Sequence, residues 1–192
     1  MHRFDLAALP ATPWKNGGGT TREIACWPPG AGLDAFDWRV SVATIAAGGP
    51  FSAFPGVERQ IMLLDGAGVR LRSAHGAIDH ALATPWQPFA FSGDAVLDCE
   101  LLGGASSDLN LMARRGRVRG ELRVLAGEAR AINVAQAGVL LALRGPWRLA
   151  AGPAAFDCAP GQGVWWAGQA LGWQARADGG DAALAVVRIT HS

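Results

Sequence analysis

Tyrosine is absent from this chain of 192 residues, lysine occurs once, at Lys15, and 17% of the residues are charged, leaving a net charge of +1. So small and balanced a charge supplies no general attraction to nucleic acid, and with 50% hydrophobic residues the chain has ample material for a core, which excludes disorder. Long apolar runs are missing too. None reaches bilayer-spanning length, and the start, Met1-His2-Arg3-Phe4-Asp5, leads into no apolar stretch of signal-peptide length. Neither a nucleic acid nor a membrane is therefore an expected partner, and a cytoplasmic location is expected. Cysteine is scarce: Cys26, Cys99 and Cys158 stand singly and odd in number, so a disulfide framework and a zinc knuckle are both excluded, and reduced core positions are expected. The four histidines, His2, His75, His80 and His191, form no His-x-His pair and cannot converge as a transition-metal set. No Gly-x-Ser-x-Gly elbow and no convincing Cys–His couple is present. No metal, no cofactor and no catalytic residue is assigned from the sequence.

What is abundant is glycine, 26 residues, with 11 prolines spread along the chain, the punctuation of many short strands. Phe36 to Ile45 alternates, with Trp38, Val40, Val42 and Thr44 on one face and Arg39, Ser41, Ala43 and Ile45 on the other. Gln60 to Leu64, then Asp65-Gly66, then Val69 to Arg72 reads as a hairpin. No segment keeps a helical period over three turns, and at most one short helix is expected, within 125–136. The second half echoes the first. Ile61 to Gly66 followed by Val69-Arg70-Leu71 matches Leu140 to Gly145 followed by Trp147-Arg148-Leu149. Phe91 to Ala95 matches Trp166 to Ala170, and the following strands lead to Gly103-Gly104 and Gly179-Gly180. A duplicated antiparallel module of this size can close into a small barrel whose mouth takes a small ligand.

Three segments combine residue types suited to binding. Trp14 to Ile24 holds three consecutive glycines, Gly17 to Gly19, beside Lys15, Asn16, Thr21, Arg22 and Glu23. The glycines allow close backbone approach to a ligand or to a neighbouring strand, and the alternation sets Thr20, Arg22 and Ile24 against Thr21 and Glu23. In Ser107 to Gly116, an extended backbone projects Asp108, Asn110, Met112 and Arg114 to one side and Leu109, Leu111 and Ala113 to the other. Arg39 with Ser41, and Arg59 ahead of the expected hairpin, need carboxylate or anion partners if buried, and Asp98, Glu100 and Glu23 are internal candidates. The basic run from Arg114 to Arg123 has no interleaved aromatic residue and reads as a solvated connector where the repeats join.

Trp14 to Ile24, Phe36 to Ala43, Pro50-Phe51-Ser52 with Phe54 to Val57, Leu64-Asp65-Gly66, Asp98 to Leu101, and Asp108 to Met112 with Arg115-Gly116 together resemble the HutD/Ves family of metal-free bicupins. The match runs in order over about residues 4–116 and continues as architecture alone. The resemblance implies an all-β fold of two cupin-like antiparallel β-barrels in tandem with few helices. The first, 1–116, would carry the ligand site and the second, 117–192, would be mainly structural, in one compact unit that admits strands exchanged between the halves. It also implies a bacterial cytoplasmic protein associated with histidine utilisation, where HutD-type members act as regulators sensing urocanate or N-formylglutamate, while Ves-type relatives are linked to stress response. The family-matched polar residues are Lys15, Asn16, Thr21, Arg22, Glu23, Arg39, Ser41, Arg59, Asp108, Asn110 and Arg115. Arg114 joins them from the strand-face argument.

The leading expectation is a metal-free protein that binds a small carboxylate and modulates histidine catabolism. The alternatives are a metal-free isomerase or hydrolase, with Glu23 or Asp108 as acid/base and Arg39 or Arg22 on the substrate carboxylate, and a protein-interaction module. A homodimer is compatible with each. Elemental analysis after dialysis against a chelator should find far less than one zinc, iron or manganese per chain, and stoichiometric metal would overturn this reading.

Overall fold

A computed structural model describes every residue except Glu128 and Asp178. The chain divides into two compact units, Pro10–Arg117 and the pair of segments Met1–Leu9 and Val118–Ser192. The strands in chain order are β1 His2–Asp5, β2 Ala11–Pro13, β3 Gly19–Trp27, β4 Trp38–Ile45, β5 Gly49–Phe51, β6 Val57–Asp65, β7 Val69–Ser73, β8 Asp79–Leu82, β9 Phe89–Ser92, β10 Leu97–Leu101, β11 Ser106–Arg114, β12 Val118–Ala126, β13 Ala129–Ala135, β14 Ala137–Arg144, β15 Trp147–Ala151, β16 Ala154–Cys158, β17 Gln162–Trp166, β18 Leu171–Ala177 and β19 Ala183–His191. Among the described residues the one helical element is a single 3-10 turn, Leu6–Ala8, whose Ala7 N–H donates to the Asp5 carboxylate.

In the Pro10–Arg117 unit, two antiparallel sheets form with the orders β2-β3-β4-β11-β6-β9 and β5-β10-β7-β8. Strands β4 to β11 thus pass between the sheets in jelly-roll order, with β7 and β8 paired in one sheet and β2 and β3 added at one edge of the other. The sheets are open: among the described residues no ladder joins one to the other, so two facing sheets replace the closed barrel expected from the sequence. The expected hairpin also takes another form. β6 and β7 lie in different sheets, because the chain turns a corner at Gly66 to Gly68. Gly68 has φ +91°, and a Cβ there would stand 2.1 Å from the Leu82 carbonyl oxygen. Between the sheets lies a core of Ile45, Ile61, Leu63, Leu71, Leu82, Phe91 and Leu97.

The other unit repeats the eight-strand order. Its sheets run β1-β17-β14-β19-β12 and β13-β18-β15-β16, so β12 to β19 stand where β4 to β11 stand, with β1 added at the opposite edge. The irregularities coincide as well: the register of β11 on β6 shifts between Ser107 and Asp108, and that of β14 on β19 shifts between Ala142 and Arg144. Two expectations are corrected here. Residues 129–135, within the proposed helix, form β13 along β18, because pairing and the burial of Ile132 outweigh alanine's helix preference. The basic run is no solvated connector. From Val118 onward it is β12, paired along its length with β19 and anchored by buried Val118 and Leu122.

Tryptophan fills this second core. Trp147, Trp166 and Trp173 are each 1% exposed, Trp166 lies 5.4 Å from Trp173, and the Trp166 indole N–H donates to the Ala135 carbonyl at 3.0 Å. Gly138 makes the room, since a Cβ there would meet the Trp166 ring at 2.6 Å. Trp166→Ala should therefore lower the unfolding free energy by about 3–5 kcal/mol in urea titration. A loss below about 1 kcal/mol would mean that the ring does not support the core.

Candidate functional site

Three adjoining strands set the site. In an antiparallel pair, residues in register project to the same face, so the ladders of β3, β4, β11, β6 and β9 lay out a grid on the inner face. One rung runs Cys26, Arg39, Met112, Arg59, Phe91. The next runs Glu23, Ser41, Asn110, Ile61, Phe89, and the next Thr21, Ala43, Asp108, Leu63. Of twelve residues singled out in the sequence, seven stand on these three rungs: Thr21, Glu23, Arg39, Ser41, Arg59, Asp108 and Asn110. Ser41, Arg59, Asp108 and Asn110 are buried at 1%, 4%, 2% and 8% exposure.

Asp108 is the anomaly of the grid. Neither of its carboxylate oxygens, nor the Asn110 amide oxygen, meets a hydrogen-bond donor among the described residues, and Arg59 Nε–H meets no acceptor there. Burial pushes the Asp108 carboxyl up to about 7, and the positive charge of Arg59 opposes that shift without cancelling it. Arg59 is itself brought down to about 10, by burial first, with Asp108 working against the fall and Arg39 adding to it. What keeps a guanidinium here is an aromatic cage: its carbon lies 4.6, 5.4 and 5.1 Å from the ring centres of Phe51, Phe54 and Phe91, while Nη1 donates to the Ser52 carbonyl at 3.0 Å. Cys99 is near enough to Asp108 to feel its charge. Burial, with Asp108 second, drives the thiol up to about 11, which makes it a poor nucleophile at neutral pH. At the exposed margin Arg39 Nε donates to Glu23 Oε2 at 2.7 Å, with Arg39 13% and Glu23 49% exposed.

The remaining candidates lie elsewhere. Arg22 is in register with Val42 on the opposite face of the sheet. Lys15 and Asn16 are exposed, and the Asn16 side chain accepts from Gly18 N–H at 3.0 Å, closing the glycine turn on itself. Gly19 is small because a Cβ would stand 2.3 Å from the Thr44 carbonyl oxygen, so the turn makes its close approach to a strand. Thr21, although on the inner face, receives the Trp14 indole N–H at 2.7 Å. Arg114 donates to the carbonyls of Phe36 and Asp34, and Arg115 pairs with Glu58 and Asp94 on the surface. The sequence reading overlooked the three cage phenylalanines. Phe51 and Phe54 were visible only as resemblance segments, and their meeting with Arg59 depends on long-range pairing.

A metal does not fit this face. Its one buried carboxylate is joined by an amide and two guanidinium groups, and no cluster of three His, Cys, Asp or Glu side chains exists among the described residues. A shallow groove of 340 Å³ lined by Arg70, Arg72, Asp98 and Glu100 lies apart from the grid. Its arginines are engaged by Asp79 and Glu100, so it holds no unmet charge comparable to Asp108.

Fold and inner face together define an all-β, cupin-like protein with a polar site in one of its two units. The cupin likeness is seen in an oxalate decarboxylase structure at TM-score 0.65, where 9% identity speaks for the fold alone. The HutD family model matches residues 6–185. Protein Ves of Citrobacter koseri is 45% identical over 150 residues, 78% of this chain and 76% of the relative. A conserved protein of unknown function from Pseudomonas aeruginosa PAO1 superposes with TM-score 0.88 at 32% identity, covering 98% of each chain. HutD from Pseudomonas fluorescens SBW25 superposes with TM-score 0.83 at 28% identity over 100% of this chain and 98% of that one. The chain belongs to the HutD family. Among the described residues no helix is long and apolar enough to cross a membrane.

Because the folded Asp108 carboxyl is raised above its unfolded value of 3.8, the folded state binds more protons between pH 4 and 7. Asp108 therefore lowers stability as pH rises through that window. Asp108→Asn should remove this component, so that its stability relative to the parent protein grows from pH 4 to pH 8 by a few kcal/mol in denaturant titrations. A difference that does not change with pH would mean that Asp108 ionises as it does in water.

Proposed function

We propose that this protein is a metal-free bicupin, two cupin-like units in tandem, whose Pro10–Arg117 unit binds a small carboxylate while the other serves as scaffold. The observation that carries the reading is Arg59, a nearly buried guanidinium with Nε unpaired, on one rung with Arg39. A planar carboxylate is the natural complement of such a pair, and the apolar surround of Met112, Ile61 and Phe91 would strengthen the attraction. Family membership turns this toward histidine utilisation. The ligand belongs to the class of urocanate and N-formylglutamate, and its binding modulates that pathway in the bacterial cytoplasm. A second reading has one observation in its favour. A carboxyl poised at about 7, as at Asp108, suits general acid–base chemistry on the same acids.

Titration with urocanate and with N-formylglutamate tests the proposal. At least one should raise the melting temperature with concentration. Arg59→Gln and Arg39→Ala should each weaken binding by about 1.5–3 kcal/mol, the range of a hydrogen bond to a charged group. The exposed Arg119→Ala should leave binding unchanged. Equal losses at Arg39 and Arg119 would reduce the site to diffuse charge, and no binding of either acid would end the carboxylate reading. Chemical conversion of a bound acid by purified protein would favour the enzyme.

A further inference from the structure

The two units permit a position-by-position comparison of their inner faces. The shared strand order and the coincident register shift put Leu184 where Asp108 stands, since Asp108 pairs with Leu63 and Leu184 with Ala142 just beyond each shift. Two residues along, Val186 opposite Leu140 stands where Asn110 stands opposite Ile61, and Gly138 opposite Arg188 stands where Arg59 stands opposite Met112. In one unit these positions hold leucine and valine within an apolar core, and glycine against the Trp166 ring. In the other they hold an acid, an amide and a guanidinium, all buried. The fold does not need the polar set, and burying a carboxyl without a donor destabilises it. A ligand group that donates hydrogen bonds removes that penalty. Arg59 and Arg39 can answer a carboxylate, but they leave the Asp108 and Asn110 oxygens unmet.

Building on the carboxylate reading, we propose that Asp108, assisted by Asn110, is the specificity determinant of the site: it selects acids that carry an N–H donor apart from their carboxylate and rejects isosteric acids that lack one. A ligand without the donor would seal both acceptors away from water with no partner, the situation in which hydrogen-bonding sites discriminate most strongly. The amide N–H of an N-acyl amino acid and the ring N–H of an imidazole acid both meet the requirement.

Two matched pairs of acids test this by calorimetry at pH 8: urocanate against 3-(1,3-oxazol-5-yl)acrylate, and N-formylglutamate against 2-(formyloxy)glutarate, each second member having oxygen in place of N–H. In the parent protein the N–H member of at least one pair should bind at least tenfold tighter than its partner. In Asp108→Leu, which installs the residue of the other unit, the ratio should fall to within about threefold, with the oxygen acid binding no more weakly than before. Asp108→Asn, which keeps an acceptor oxygen, should show an intermediate ratio and serves if the leucine variant does not fold. Equal binding of both members to the parent protein, or a ratio that survives in the variants, overturns the role of Asp108 while leaving the carboxylate reading intact. If none of the four acids binds, both fall together.

Discussion

The pairing of β11 with β4 on one side and β6 on the other is the constraint on which the candidate site depends. Three strands in register convert a period of two in each sequence into one polar patch, so that residues 39, 41, 59, 108 and 110 become neighbours although the chain separates them by up to 71 positions. A slip of one residue in β11 would exchange Asp108 and Asn110 for Leu109 and Leu111. Those leucines are 0% and 1% exposed on the other face, Leu109 in register with Met62 and Val42 and Leu111 with Gln60 and Val40, so a slip would also place two polar groups on a mainly apolar face. Both faces of β11 thus enforce the same register, and the shift beside Ser107 fixes where the polar set begins.

The duplicated unit shows what this patch costs. With Leu184, Val186 and Gly138 in the corresponding places, the second core closes around Trp147, Trp166 and Trp173, and the Trp147 and Trp166 indole N–H groups each find a carbonyl. That apolar cluster contains no carboxylate. In the first unit the guanidinium of Arg59 relies on three phenylalanine rings and one carbonyl, and the Asp108 carboxyl has only the distant attraction of that cation. Breaking such a pair leaves an uncompensated buried charge, whereas an apolar pair would be comfortable, as the sister unit demonstrates. A polar arrangement that a sister copy of the fold does without is the pattern expected where stability is spent on binding.

Alternation made the inner face legible before any coordinates. The grouping of Arg39, Ser41, Ala43 and Ile45 and that of Asp108, Asn110, Met112 and Arg114 are the groupings the ladders impose. The repeat was legible because the matched strands kept their spacing. Strand partners were not: Asp65-Gly66 is a good hairpin turn locally, but Gly68 and the burial of Leu71 send β7 to the facing sheet. The basic run failed for a related reason, since Arg119 and Arg123, which share a face with Thr190 and Val186, hid the buried Val118 and Leu122 on the other face. At the site, Lys15, Asn16 and Arg22 drew attention through rarity and charge, yet one turn and one face change remove them from the grid. Phe51, Phe54 and Phe91 could not be associated with Arg59 from sequence because nothing local relates their positions.

Arg59 and Asp108 pull a ligand in opposite ways, and this balance shapes the chemistry of the site. An anionic group drawn to Arg59 brings negative charge toward Asp108 and pushes its carboxyl further toward the protonated form. A donor directed at Asp108 favours the ionised form instead, by the same rule with the opposite sign. A ligand offering only a carboxylate therefore meets a site that must take up a proton to receive it, whereas one offering a carboxylate and a donor at opposite ends satisfies both charges and requires less proton uptake. The rung between the two on the grid holds Ile61 and Asn110, an apolar side chain beside an amide. On the proposed carboxylate reading, the site suits a short acid with a polar far end, and the spacing of the rungs, set by the strands themselves, measures its length.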